Sequence, residues 1–176
     1  MNRRISWLLA LVAIAVLALV FVPLLPSGAL RESGPLGLSG KAAPVFLLRD
    51  DRGSEVSLSQ YHGKIVVLNL WASWCPPCRA EMPDLQRLSA AYASRGVIVI
   101  GANQGESAQR ARAFAASLRI GFPIWLDEEQ RYGRALTAAG LPTTVIIARN
   151  GTIVRGFDGA LGYGEMREAI AAALRS

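Results

Sequence analysis

The chain has 176 residues, 52% of them hydrophobic, and a formal net charge of +6. This length suits one globular domain, preceded here by a first quarter that does not have a globular pattern. The basic residues are spread along the chain, so the charge does not predict a nucleic-acid surface. His62 is the only histidine, and Cys75 and Cys78 are the only cysteines. One chain therefore lacks the roughly four ligands that a structural zinc site needs.

The N-terminal segment predicts a membrane anchor. Residues 5–25 contain no charged side chain, and 21 helical residues at ~1.5 Å each can cross a hydrocarbon core of ~30 Å. Residues 1–4 include two arginines, which predicts a cytoplasmic N-terminus and an extracytoplasmic remainder. A cleaved signal peptide is the alternative, because residues 27–29 resemble a cleavage site. Both interpretations export the domain.

Residues 26–42 are rich in Pro, Gly and Ser and predict a flexible linker. A globular domain is expected over residues 43–176. Apolar patterns predict strands at 45–48, 55–58, 65–72, 97–102, 123–126, 144–148 and 152–157, and helices from Cys75 to about Gly96, at 107–118, near 131–138 and around 166–174. Asn150-Gly151 predicts a type I′ turn in the last hairpin. Alternating strands and helices that end in a hairpin and a helix predict an α/β fold, a mixed sheet flanked by helices.

The two cysteines form the run Cys75-Pro76-Pro77-Cys78 between a predicted strand and a predicted helix. Free N–H groups at a helix N-terminus favour the thiolate of the first cysteine, and the second lies one turn further in. Covalent haem attachment would need a histidine where the chain has Arg79. A structural disulfide this short would restrict the unfolded chain very little. The pair therefore predicts a redox dithiol.

The run from Trp71 to Cys78, Trp-Ala-Ser-Trp-Cys-Pro-Pro-Cys, resembles the thioredoxin superfamily. Over residues 43–176 the chain is most similar to the membrane-anchored TlpA-like and ResA-like thiol:disulfide oxidoreductases. Their pattern around the dithiol is matched by residues 69–83, and residues 140–144, Gly-Leu-Pro-Thr-Thr, look like their cis-proline loop. The resemblance implies a thioredoxin-like fold, an extra strand and helix within residues 101–141, and no cofactor other than the redox-active disulfide.

The same resemblance implies roles for residues at the dithiol. Cys75 would be an exposed nucleophile and Cys78 the resolving thiol, the order that their helix positions also favour. Glu81 would handle protons for the dithiol, because Asn69 stands where thioredoxin has a buried Asp and an amide cannot accept a proton. A first-turn acid favoured only by the helix dipole is the alternative for Glu81.

A substrate-binding surface is also implied beside the dithiol. Its members are Trp74, Pro76, Pro77, Leu141 and Pro142, with a cis peptide bond expected before Pro142. The prolines between the cysteines have no N–H, so the N–H of Cys78 is the expected main donor to the Cys75 sulfur. Trp71 and Trp125 are predicted to lie in the core, and His62 is predicted to lie in a surface turn.

The predicted function is reduction of disulfides in exported proteins, such as apocytochrome c or a copper-site assembly protein, with electrons from a membrane reductase. A poorly stabilised Cys75 thiolate favours a reductase, because strong oxidants stabilise their reduced form. A disulfide-forming oxidase, a copper-binding assembly protein and a peroxidase are alternatives. The copper carrier would need a His or Met ligand near the dithiol, and no histidine follows His62. Membrane lipid is the expected partner of residues 5–25.

Overall fold

The computed structural model describes residues 34–175. None of the helices in that range is long and apolar enough to cross a membrane. The anchor predicted at residues 5–25 lies outside the described residues, as do residues 1–4 and the first part of the predicted linker.

The described chain forms strands and helices in alternation after an N-terminal hairpin. The strands are β1 Gly34–Pro35, β2 Leu48–Asp50, β3 Glu55–Val56, β4 Ile65–Trp71, β5 Val97–Gln104, β6 Ile124–Asp127, β7 Thr143–Ile147 and β8 Ile153–Asp158. The α-helices are α1 Pro76–Tyr92, α2 Ala108–Ser117, α3 Arg131–Ala135 and α4 Tyr163–Arg175. The strands form one sheet in the order β1-β8-β7-β4-β5-β6-β2-β3. Strands β4, β5 and β6 are parallel to one another, and all other neighbours are antiparallel.

Strand β4 lies at the centre of the domain and is buried along its whole length. Successive side chains of a strand point to opposite faces, and here both faces meet apolar layers. One layer contains Ile65, Val67 and Trp71 with residues of α1, α2 and α4. The other contains Val66, Leu68 and Leu70 with residues of β6, α3 and the N-terminal segment. The predicted mixed sheet with cover on both faces is confirmed.

Helix α1 carries the dithiol and packs on the central strands. Its buried residues are Cys78, Glu81, Met82, Leu85 and Leu88, which recur at helical spacing. The chain leaves the sheet at Trp71 and enters the helix at Pro76, so the dithiol lies at the carboxyl end of β4. In α/β folds, ligands and catalytic groups commonly lie at the carboxyl ends of the parallel strands.

Residues 34–42 differ from the flexible linker predicted for residues 26–42. Strand β1 pairs with β8, and the N–H of Gly40 donates to the carbonyl of Ile153 at 2.8 Å. Leu38 is only 8% exposed and belongs to the apolar layer on one face of the sheet. Backbone hydrogen bonds to strand β8 hold this segment, and such bonds leave no apolar period in the sequence. The linker boundary is therefore corrected, because residues 34–42 belong to the domain.

The closing hairpin is confirmed, but its predicted type I′ turn is wrong. The N–H of Ala148 donates to the carbonyl of Thr152 at 2.8 Å, and the N–H of Gly151 donates to the carbonyl of Ala148 at 3.0 Å. Gly151 has a φ of 85°, whereas Asn150 does not have a positive φ, which a type I′ turn requires. The side chain of Asn150 accepts from the N–H of Thr152 at 3.0 Å. This bond favours a three-residue loop.

Replacing Leu38 with Ala tests whether the N-terminal segment contributes to the core. Loss of a buried Leu side chain is expected to lower the free energy of unfolding by about 2–3 kcal/mol in urea denaturation. Leu47→Ala is the matched control, since Leu47 is 59% exposed and its loss should cost less than about 0.5 kcal/mol. Equal effects of the two substitutions would contradict the placement of Leu38.

Candidate active site

The two cysteines occupy the first turn of α1 and form a disulfide with an S–S distance of 2.02 Å. Cys75 is the N-cap residue, with an extended backbone, and its sulfur accepts a hydrogen bond from the N–H of Cys78 at 3.2 Å. Pro76 and Pro77 fill the first helical positions, where a missing N–H breaks no intrahelical bond. The donor expected from the sequence, the N–H of Cys78, is therefore the one observed.

Cys75 is less accessible than the sequence analysis expected. It is 3% exposed, and Cys78 is fully buried. The expectation of an exposed Cys75 is wrong for the disulfide form, because both sulfurs belong to the apolar layer that contains Met82 and against which Leu141 packs. The predicted order of accessibility is retained, with Cys78 more deeply buried.

The other predicted site residues divide into exposed and buried groups. Trp74 is 65% exposed, and Pro76 and Pro77 are exposed beside it in the sequence. Leu141 is half-buried, and Pro142 is buried after the expected cis peptide bond. The structure brings Leu141 to the apolar layer of the dithiol. An exposed aromatic residue next to an almost closed disulfide is thus the most accessible apolar part of this region.

Glu81 lies one helical turn after Cys78 and is 3% exposed. One carboxylate oxygen accepts from Nδ2 of Asn69 at 2.7 Å, and the other accepts from the N–H of Leu161 at 3.0 Å. Burial raises the pKa of Glu81 from its ordinary value of 4.5 to about 7. The two hydrogen bonds oppose that rise, and the charge of Asp84 adds to it. A carboxyl group with this pKa exchanges protons near neutral pH.

Asn69 connects Glu81 to β7. Its Nδ2 also donates to Oγ1 of Thr144 at 2.9 Å, whereas its buried Oδ1 has no hydrogen-bond partner in the described structure. An amide turned by half a rotation would present Oδ1 to a protonated Glu81 and to the Thr144 hydroxyl. Asn69 can therefore serve both protonation states of Glu81, a function that the sequence analysis did not foresee.

Near the dithiol lies a second buried carboxyl group, Glu106, which is 6% exposed and was not predicted from the sequence. Its Oε2 accepts from the N–H of Ser73 and from Nδ2 of Asn103, both at 2.7 Å, and its Oε1 accepts from the Ser73 hydroxyl at 2.6 Å. Burial alone would raise the pKa of Glu106, but the bonds from Ser73 and Asn103 and the charge of Arg110 outweigh it and lower the pKa. A polar run after the buried strand β5 was the available signal.

The remaining predictions for single residues concern residues with no proposed chemical role. Trp71 and Trp125 are fully buried, and His62 is exposed, as predicted. No cluster of three or more potential metal-ligating His, Cys, Asp or Glu side chains occurs within residues 34–175. The chemistry that the described geometry supports best is thiol–disulfide exchange, because it joins a disulfide at a helix N-terminus to a buried proton-exchanging group.

Comparison with known proteins agrees with this chemistry. Residues 39–155 match the model of the AhpC/TSA family. The thiol-disulfide oxidoreductase ResA of Geobacillus kaustophilus is 38% identical over 122 residues, which cover 69% of this chain and 70% of that protein. ResA of Bacillus subtilis is 35% identical over 122 residues, which cover 69% of this chain and 68% of that protein.

A solved structure shows the same fold. A Chlorobium tepidum protein assigned as the thiol:disulfide interchange protein DsbE has a TM-score of 0.72 and 32% identity, covering 77% of this chain and 97% of that one. The model match covers more than half of the chain, and the ResA relatives match it over about two thirds of their own length. The chain therefore belongs to the AhpC/TSA family, has the thioredoxin-like fold and is a thiol-disulfide oxidoreductase similar to the ResA proteins.

Proposed function

We propose that this enzyme reduces disulfide bonds of exported proteins, with Cys75 as nucleophile, Cys78 as resolving thiol and Glu81 as the proton acceptor and donor. The observation that carries the proposal is the Glu81 carboxyl, which is buried one turn after Cys78 and has a pKa of about 7. Thiolates are the reactive species, so a group that takes a proton from a thiol near neutral pH supports both steps of exchange.

The reaction begins with the reduced enzyme. The Cys75 thiolate attacks one sulfur of the partner disulfide, and the other partner sulfur leaves as a thiolate. Cys78 then loses its proton to Glu81 and attacks the Cys75 sulfur, which releases the second partner sulfur. Two electrons have passed to the partner, and the enzyme holds the Cys75–Cys78 disulfide. The disulfide is the only redox group that the reaction needs.

The first turn of α1 favours the reducing direction. The Cys75 sulfur accepts the N–H of Cys78, whereas Pro76 and Pro77 have no N–H to offer. Fewer donors stabilise the thiolate less, and a less stable reduced form passes its electrons on more readily. Net oxidation of partners, the alternative, would require a strongly stabilised Cys75 thiolate.

The proposed setting is the extracytoplasmic side of the cell membrane. In this proposal residues 5–25 anchor the chain in the lipid, residues 26–33 extend from the anchor, and a membrane reductase returns electrons to the dithiol. Partner proteins dock on Trp74, the two prolines between the cysteines and Leu141, which the buried Pro142 directly follows in the chain. Cysteines of apocytochrome c or of a copper-site assembly protein are the proposed targets. The hydrophobic N-terminal segment and the arginines that precede it support the extracytoplasmic membrane setting.

The Cys78→Ser variant tests the proposed partners. This variant can attack a partner disulfide but cannot resolve the mixed disulfide, so mixed disulfides through Cys75 should accumulate in the producing cells. These adducts should remain in the membrane fraction after an alkaline carbonate wash. Mass spectrometry of the trapped partners identifies the pathway. Cys75→Ser is the matched control and should trap far less. Equal trapping by the two variants would contradict the assignment of Cys75 as the nucleophile.

The Pro76→Ala variant tests why the enzyme is reducing. It restores an N–H beside Cys75, so the thiol pKa should fall and the reduction potential should become more oxidising. Thiolate absorbance measures the thiol pKa, and equilibration with glutathione measures the reduction potential. Pro83→Ala, at an exposed proline later in the same helix, should change neither. A Cys75 pKa that stays constant or rises in Pro76→Ala would show that this N–H does not reach the sulfur.

The Glu81→Gln variant tests proton handling. Gln resembles the neutral acid in shape but cannot accept a proton, so disulfide exchange should slow and the pH–rate profile should lose its inflection near pH 7. The whole profile should be compared, because the thiols and the carboxyl titrate together. Glu168→Gln replaces an exposed carboxyl on α4 and should leave the profile unchanged. A wild-type profile in Glu81→Gln would reduce Glu81 to a structural acid.

The Glu81→Gln substitution should also change how the stability of the disulfide form depends on pH. Between pH 4.5 and about 7 the folded wild type keeps the Glu81 proton while the unfolded chain releases it, so wild-type stability falls as the pH rises. A glutamine side chain does not titrate, so the variant does not lose stability in this way as the pH rises. The free energy of unfolding of the variant relative to wild type should therefore increase over this interval, by roughly 3 kcal/mol at ~1.4 kcal/mol per pH unit. Urea titrations at pH 5 and pH 8 measure the change.

A further inference from the structure

The chain that leads into the dithiol forms a tight turn, Ala72–Cys75, hereafter the redox turn. The N–H of Cys75 donates to the carbonyl of Ala72 at 3.2 Å, so Ser73 and Trp74 occupy the two central positions. Trp74 is 65% exposed, and Ser73 is half-buried. The turn therefore has one residue that faces solvent and one that faces the protein.

All three polar groups of Ser73 have hydrogen-bond partners. Its N–H and its hydroxyl donate to the two oxygens of Glu106, at 2.7 and 2.6 Å. Its carbonyl accepts from Nη1 of Arg79 at 3.4 Å. A carboxylate that takes two donors from one residue fixes both the distance and the direction of that residue, as bidentate pairs do elsewhere. Ser73 cannot rotate away without breaking both bonds.

Sheet topology explains how Glu106 reaches the redox turn. Strands β4 and β5 are parallel, and Trp71 pairs with Asn103. The chain continues two residues from Trp71 to Ser73 and three residues from Asn103 to Glu106, so the two segments leave the same edge of the sheet side by side. The Asn103 side chain completes the arrangement, because its Nδ2 donates to Oε2 of Glu106 at 2.7 Å.

The backbone and the following helix support this arrangement. Gly105 has a φ of 74°, a left-handed conformation that most residues avoid, directly before Glu106. The Phe114 ring of α2 lies 5.3 Å from the Trp71 ring, and the Arg79 guanidinium lies 5.1 Å from the centre of the same Phe114 ring. Helix α2 thus contacts, through Phe114, the chain both before and after the dithiol.

We propose that Glu106 is a positioning residue that acts through Ser73: it holds the redox turn so that Trp74 and Cys75 keep the relative placement in which a partner protein's disulfide meets the sulfur. Glu106 takes no part in proton or electron transfer. The inference concerns the oxidoreductase activity of the family and does not depend on which exported protein is the partner.

The charge state of Glu106 suits this positioning function. Its lowered pKa keeps the group ionised at neutral pH, so both oxygens remain acceptors. Three donors converge on them, which makes the anchor charge-assisted. A neutral amide in the same place would present an NH₂ group to one of these donors and lose at least one bond.

The test compares a protein disulfide with a small one. Glu106→Gln should lower kcat/KM for insulin reduction by about tenfold or more, mainly through KM, because a displaced Trp74 impairs docking. With oxidised glutathione, which is too small to use the same surface, kcat/KM should fall by less than about threefold. The indole N–H signal of Trp74 in NMR spectra, assigned with Trp74→Phe, should show increased motion in Glu106→Gln.

Three further variants separate positioning from charge and from stability. Glu106→Asp keeps the charge but is one methylene shorter, so it should behave like Glu106→Gln. Ser73→Ala deletes one of the two bonds and should show a smaller loss of the same kind, and the effects of Ser73→Ala and Glu106→Gln should not add. Glu128→Gln, at an exposed carboxyl before α3, should match wild type.

Several results would overturn the proposal. Equal losses for insulin and glutathione in Glu106→Gln would mean that Glu106 acts on the sulfur chemistry. Full activity of Glu106→Asp would mean that charge alone matters. Unchanged kinetics with a lower melting temperature would leave Glu106 only a structural role. If Glu106→Gln does not fold, the ratio of insulin to glutathione activity in Ser73→Ala tests the positioning proposal instead.

Discussion

Burial of the Glu81 carboxyl constrains the whole centre of the domain. A carboxyl group that is 3% exposed needs donors for both oxygens, and these come from Asn69 in β4 and from Leu161 in the connection between β8 and α4. Asn69 is itself tied to Thr144 in β7. Helix α1 can therefore occupy only the position on the sheet where these partners meet. The same position places Cys78 one turn from the carboxyl.

The two buried acids near the dithiol show how the number of hydrogen-bond donors affects the pKa of a carboxyl group. Glu81 receives two hydrogen bonds, which do not outweigh burial, and its pKa rises to about 7. Glu106 receives three, with Arg110 nearby, and its pKa is lowered. A carboxyl near its pKa is suited to proton exchange, whereas one that stays ionised at neutral pH is suited to holding a turn. The domain therefore contains one carboxyl suited to proton exchange, Glu81, and one suited to holding a turn, Glu106.

Access to the dithiol is divided between a closed sulfur and an open aromatic side chain. In the disulfide form Cys75 is 3% exposed, while Trp74 beside it is 65% exposed. In the proposed docking, a partner protein contacts Trp74 before it contacts sulfur, and the orientation of that ring sets how the partner's disulfide meets the Cys75 sulfur. We expect small disulfides not to need the ring. This division relates the geometry of the redox turn to selectivity for protein partners.

Local signals in the sequence were sufficient for the Cys75–Cys78 dithiol, strands β3 to β8, the four α-helices, the hairpin at 143–158 and the mixed sheet, because each depends on neighbouring residues and on the period of the side chains. Tertiary structure decided what depends on distant partners. Leu38 joins the core because its segment pairs with strand β8 through the backbone, and Glu106 reaches Ser73 only because β4 and β5 end side by side. Neither contact leaves a periodic pattern in the chain, so the sequence alone could not reveal it.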